Sequence, residues 1–104
     1  MILHCVFCKV RADTSDAAWQ DVMCALSDLA LSLTGCEGFE AGPNRDFERK
    51  TPEFQHGFVI RFGNAAALER YAVHPEHKAL GQTLCGMCEG GADGITVFDL
   101  EVPG

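Results

Sequence analysis

The stretch Tyr71-Ala72-Val73-His74-Pro75-Glu76-His77 brings one phenol and two imidazoles close together in the chain. A phenol can donate a hydrogen bond to a developing oxyanion, and a neutral imidazole can take a proton near neutral pH. Pro75 disfavours helical backbone at His74 and suits the first position of a new helix. One helix should therefore stop near Val73 and a second should start at Pro75, with His77 in its first turn. Backbone N–H groups are unpaired there and the dipole end is positive, which favours the neutral ring.

Three more polar groups interrupt apolar strand faces. His4, Val6, Cys8 and Val10 share one face of an extended segment over 2–11. The clearest strand spans 54–62, where Phe54, His56, Phe58, Ile60 and Phe62 alternate with Gln55, Gly57, Val59 and Arg61. A closing strand over 95–102 puts Asp99 in phase with Ile95 and Val97. A carboxylate or imidazole on such a face normally has a partner. His4, His56 and Asp99 are expected to line the floor of one cavity, with Tyr71 and His77 above and Val6 and Phe58 completing its apolar surface. Each of these residues also has a structural explanation. His4 and His56 can be hydrogen-bonded core residues, Tyr71 a core aromatic, and His74 a helix-junction residue.

The remaining elements follow from periodicity. Asp13-Thr14-Ser15-Asp16 offers N-cap chemistry. A helix should run from there to about Leu33, with Val22, Met23, Leu26, Leu29, Ala30 and Leu33 on one stripe. Gly35 fits its stop. Residues 36–42 read as an edge strand, weakened by glycine and Pro43, and 43–53 as a polar loop. Asn64 can cap a helix over 65–72, and the Pro75 helix should reach about Met87. The order is βαββαβ, with the second crossover helix broken at Pro75. This is a ferredoxin-like α+β pattern: one domain over 1–104 with a four-stranded antiparallel sheet and helices on one face. The other face carries Cys5, Phe7 and Val59, so it is apolar enough to call for a partner.

The net charge is −7 at pH 7. That disfavours nucleic acid or an anionic membrane as a partner, since both select a basic patch. No apolar run reaches bilayer-spanning length. The opening Met1-Ile2-Leu3-His4-Cys5 lacks a basic signal-peptide start, so a cytoplasmic protein is expected. Its six cysteines should then be reduced. Cys5 and Cys8 point to opposite faces of a strand, whereas Cys85 and Cys88 share a helix face. No second well-spaced pair completes a zinc site, and the histidines lack an H-x-x-x-H spacing. Neither a metal nor a cofactor is expected.

These residues resemble the stress-responsive A/B-barrel (dimeric α/β-barrel) family. The matching elements are the opening strand with His4, Phe39 with Gly42-Pro43-Asn44, His56-Gly57-Phe58, Tyr71 with His74-Pro75-Glu76-His77, and Val97-Phe98-Asp99. The likeness covers essentially the whole chain, and His-Pro-x-His is its most specific part. It implies a homodimeric barrel. The family includes a plant polyketide cyclase that closes a linear substrate by an intramolecular aldol reaction. By this resemblance Tyr71 and His77 are catalytic, Asp99 assists, and His4 and His56 face the pocket. Met23, Cys24 and Ser27 on the first helix stand where that enzyme has bulky aromatics, so the substrate does not transfer.

Three functions remain open. The first is cofactor-free proton transfer on a small, partly apolar carbonyl or carboxylate compound. There His77 is the base, Asp99 orients its ring, and Tyr71 bonds the oxyanion. The second is a non-catalytic binding or structural module. The third is a cofactor-independent monooxygenase.

Overall fold

The computed structural model describes residues 1–104. Four strands, β1 (Ile2–Cys8), β2 (Cys36–Pro43), β3 (His56–Phe62) and β4 (Ile95–Glu101), form one antiparallel sheet in the order β2-β3-β1-β4. Helices α1 (Asp16–Ser32), α2 (Ala65–Ala72) and α3 (Pro75–Gly86) complete a ferredoxin-like α+β fold. A short 3-10 helix, Gly91–Gly94, precedes β4.

Local chemistry sets the helix ends. Ser15 caps α1 by accepting the Ala18 N–H at 3.1 Å, and Asn64 caps α2 by accepting the Ala67 N–H at 2.9 Å. The apolar stripe of α1 buries Trp19, Val22, Met23, Leu26, Leu29 and Ala30 against the sheet. Gly35 turns the chain out of α1 with φ +91, and a Cβ there would stand 2.6 Å from that of Ala67. Glycine is required on both counts.

Ile2, Val6, Cys8, Phe58, Ile60 and Phe62 project from β1 and β3 into the core beneath the helices. Two boundaries differ from expectation. The sheet pairing of β1 ends at Cys8, beyond which Val10 forms an isolated bridge with Cys88. The peptide Lys9 instead bonds Gly94 and Glu89. Residues 54 and 55 lie before β3, where the Gln55 N–H bonds the Cys8 carbonyl and its side chain takes the Val10 N–H. The end of β1 is thus shared between the turn after α3, through Lys9, and Gln55, whose side chain takes the place of a ladder carbonyl at Val10.

Candidate functional site

The break between α2 and α3 builds the site. His74 has extended backbone and acts as N-cap of α3, its Nδ1 accepting the Glu76 N–H at 3.1 Å. Its ring thus has a structural task at the junction. Pro75 opens the helix, so His77 falls in the first turn. There Nδ1 of His77 meets the Ala72 carbonyl at 3.0 Å. A carbonyl only accepts, so Nδ1 carries the hydrogen and Nε2 keeps its lone pair in the neutral ring. The carbonyl belongs to the last residue of α2, where helical acceptors lack partners. Residue pattern marks the imidazole but not this backbone anchor, although the helix break foretells a free carbonyl.

Burial is the main reason that the His77 pKa lies below the ordinary imidazole value. The bond to Ala72 opposes the shift, and the neighbouring His4 and His74 add to it. Desolvation thus favours the neutral ring expected from the helix N-terminus.

Tyr71 packs on His77 with ring centroids 4.3 Å apart and planes tilted by 47°, and its ring lies 6.0 Å from that of His4. Phe62, wholly buried in β3, supports it from below at 5.4 Å. Tyr71 is only 1% exposed, and burial raises its pKa well above the usual phenol value. Its hydroxyl bonds no group of the chain, yet no fully buried polar side-chain atom lacks a partner. The Tyr71 oxygen therefore keeps a trace of exposure, and Cys36 lies close enough to add to the rise in its pKa.

His4 and Asp99 are direct cross-strand partners of β1 and β4. Nδ1 of His4 and the Asp99 carboxylate are 2.6 Å apart. Here too Nδ1 carries the hydrogen, because a carboxylate accepts. The sequence suggested that Asp99 orients His77. In the structure it orients His4, since register puts them side by side while His77 turns to Ala72.

His56 does not join this group. It pairs in register with Cys8, four residues along β1 from His4, or roughly 13 Å away. Its ring packs on Trp19 at 4.8 Å. His56 and His4 share a face of the sheet, but antiparallel pairing carries His56 to the opposite end of it. Val6 and Phe58 are core residues, and Phe58 stacks on Phe39 at 5.5 Å. The cysteines also pair differently from expectation. α3 ends at Gly86, and the buried Cys88 faces Cys8 rather than sharing a helix face with Cys85. Burial, then the adjacent Cys88 thiol, pushes the Cys8 pKa far up.

A concavity of about 660 Å³ lies elsewhere, on the open face of the sheet, and none of His4, Tyr71, His77 and Asp99 lines it. The imidazole–phenol–imidazole group sits on the helix side.

Helices on one face of a four-stranded antiparallel sheet, with the second crossover broken at a His-Pro step, define a ferredoxin-like protein. The chain belongs to the stress responsive A/B barrel domain family, whose model matches residues 2–102. It is similar to a dimeric ferredoxin-like protein of unknown function from Jannaschia sp. CCS1. The two are 42% identical over 97% of this chain and 98% of that one, with a TM-score of 0.91. Two more distant structures share the fold. Hydroxynitrile lyase from Passiflora edulis is 14% identical, with a TM-score of 0.82 over 98% of this chain and 93% of its own. A mutant of the cofactor-independent oxygenase SnoaB from Streptomyces nogalater is 10% identical. Its TM-score is 0.78 over 97% of this chain and 91% of its own. No protein of curated function matches by sequence.

Proposed function

We propose that the chain acts as one domain within a homodimer, and that its helix-side site binds a small, partly apolar carbonyl or carboxylate compound and moves a proton on it. The observation that carries this reading is a phenol ring lying between two imidazole rings, each imidazole anchored through Nδ1. In this reading His77 Nε2 takes a proton from the carbon next to the carbonyl. The electron pair moves onto the carbonyl oxygen, where the Tyr71 hydroxyl donates to it. Asp99 holds His4, and His4 orients the substrate. An enolate so formed can attack a second carbonyl, which is the aldol, cyclase-type outcome. None of these steps calls on a metal or cofactor.

The test is hydrogen–deuterium exchange at the α-carbon of a panel of small ketones, aldehydes and β-keto acids, followed by NMR. The expected result is exchange that His77→Ala abolishes. Exchange unchanged in that variant, or neither exchange nor binding with any compound, overturns the proposal. A second reading is a non-catalytic module, favoured by the near-complete burial of Tyr71. Binding without exchange would select it, and oxygen consumption would select the monooxygenase alternative.

The dimer reading rests on the apolar open face of the sheet and on similarity to the dimeric Jannaschia protein. Leu3, Cys5, Phe7, Val59, Phe98 and Leu100 share that face, and Phe98 and Leu100 are half exposed. Light scattering tests it, since a stable 11.3 kDa species at micromolar concentration would refute it.

A further inference from the structure

Phe47 is 85% exposed, more than any other large apolar side chain. The loop that carries it is held firmly. The Asn44 amide donates to the Thr51 carbonyl, the Thr51 hydroxyl and the Phe54 carbonyl at 2.9–3.2 Å. One Asp46 carboxylate oxygen accepts from the Lys50 and Thr51 N–H groups and the Thr51 hydroxyl. Asp46 and Arg49 adopt positive φ, 43° and 58°, which non-glycine residues hold only when their surroundings impose it. A loop so constrained, with Arg45 over the Phe47 ring at 5.6 Å, is built to present that ring.

The same loop borders the cleft of about 660 Å³ on the open sheet face. Gly42 and Gly57 face each other across β2 and β3 and form its floor. Phe7, Phe54, Val59 and Phe98 wall it, and Glu40 stands on its rim. A Cβ at Gly42 would meet nothing, so the notch there is open space, whereas one at Gly57 would strike Phe7 at 2.9 Å.

We propose that residues 44–54 form an arm that inserts Phe47 into the open-face cleft of a second copy of this chain. The proposal rests on the homodimer reading above. Two further arguments favour a second copy as the occupant. The cleft is continuous with the apolar face assigned to the dimer, so two-fold symmetry offers one arm and one cleft to each subunit. Charge permits it as well. Residues 44–54 balance Arg45, Arg49 and Lys50 against Asp46, Glu48 and Glu53, so the rest of the chain carries the whole net charge of −7. Two such bodies repel, and a neutral arm reaches a partner without adding to that repulsion.

The dimer dissociation constant, measured by analytical ultracentrifugation, tests this. The set is wild type, Phe47→Ala, Gly42→Leu and the double variant, with circular dichroism to check folding. The Cβ of a leucine at Gly42 meets nothing in its own chain, and the rest of the side chain extends into the notch. Each single change is expected to weaken the dimer at least about tenfold, the loss usual for a buried aromatic anchor. The double variant should be little weaker than either, since both remove one contact. A wild-type dimer unaffected by Phe47→Ala overturns the arm and leaves the dimer standing. So do additive losses, or stoichiometric binding of the apolar dye anilinonaphthalene sulfonate in the cleft of the intact dimer. A monomeric wild type overturns the dimer reading itself.

Discussion

The Asp99 carboxylate lies 2.6 Å from Nδ1 of His4, across the β1–β4 ladder. His77 takes its anchor instead from the Ala72 carbonyl. The two imidazoles therefore have separate supports, and both present Nε2. Replacing Asp99 by Asn removes a charge-assisted bond and frees His4 to change tautomer. We expect Asp99→Asn to weaken substrate binding, read as a raised KM in the exchange assay, while His77→Ala removes turnover. Equal loss of kcat in both variants would show that Asp99 supports the base itself.

His77 carries a pH dependence whose sign follows from its burial. Its pKa in the fold is lowered, whereas in the unfolded chain it takes the ordinary value of about 6.5. The unfolded state then binds more protons between those values. Stability contributed by the neutral ring is complete above about 6.5 and is lost as pH falls through the folded value. Urea midpoints at about pH 7.5 and about pH 5.5 should show a drop on acidification that His77→Gln reduces. An equal drop in both proteins would assign the effect to other groups.

His56 should be separable from the chemistry. It packs on Trp19 at the far end of β3 from the His4 pairing. His56→Ala is expected to lower thermal stability through lost packing and to leave α-carbon exchange at the wild-type rate. A large rate loss in a stably folded His56→Ala would extend the site along the sheet.

The stripe on α1, the Asn64 cap and the stop before Pro75 are local, so periodicity and cap chemistry reveal them in the sequence. The phase of His4, Asp99 and His56 is legible for the same reason. What phase does not give is position along a strand. Antiparallel pairing of β1 with β3 sends His56 to Cys8 and leaves His4 beside Ile60. The helix break foretells a free carbonyl but not which side chain takes it, so the pattern misses the Ala72 anchor and assigns Asp99 to the wrong imidazole. The Cys8–Cys88 approach depends on the turn after α3, which joins segments from the two ends of the chain by a single bridge at Val10.

Thiol reactivity should follow that packing. Cys24 is exposed on α1, whereas Cys8 and Cys88 are buried and their pKa values are raised. A thiol in apolar surroundings resists the thiolate form that reacts. Native titration with a disulfide reagent should modify Cys24 first and Cys8 and Cys88 only on unfolding. Early modification of Cys8, identified by peptide mass, would contradict the packing at the end of β1.

Tyr71 separates stability from function most cleanly. Its ring is held by Phe62 and His77, but its hydroxyl bonds nothing in the chain. Removing the oxygen breaks no intramolecular hydrogen bond and keeps the ring, so Tyr71→Phe should change stability by less than about 1 kcal/mol. Phe62→Ala, by contrast, empties a fully buried site and should cost about 3–5 kcal/mol. If the hydroxyl stabilises an oxyanion, Tyr71→Phe should lower kcat by roughly 10²–10³-fold, the usual effect of losing one such donor. Denaturant unfolding and the exchange assay on the same preparation decide between the roles. A stable Tyr71→Phe that turns over normally would make the tyrosine a core aromatic alone.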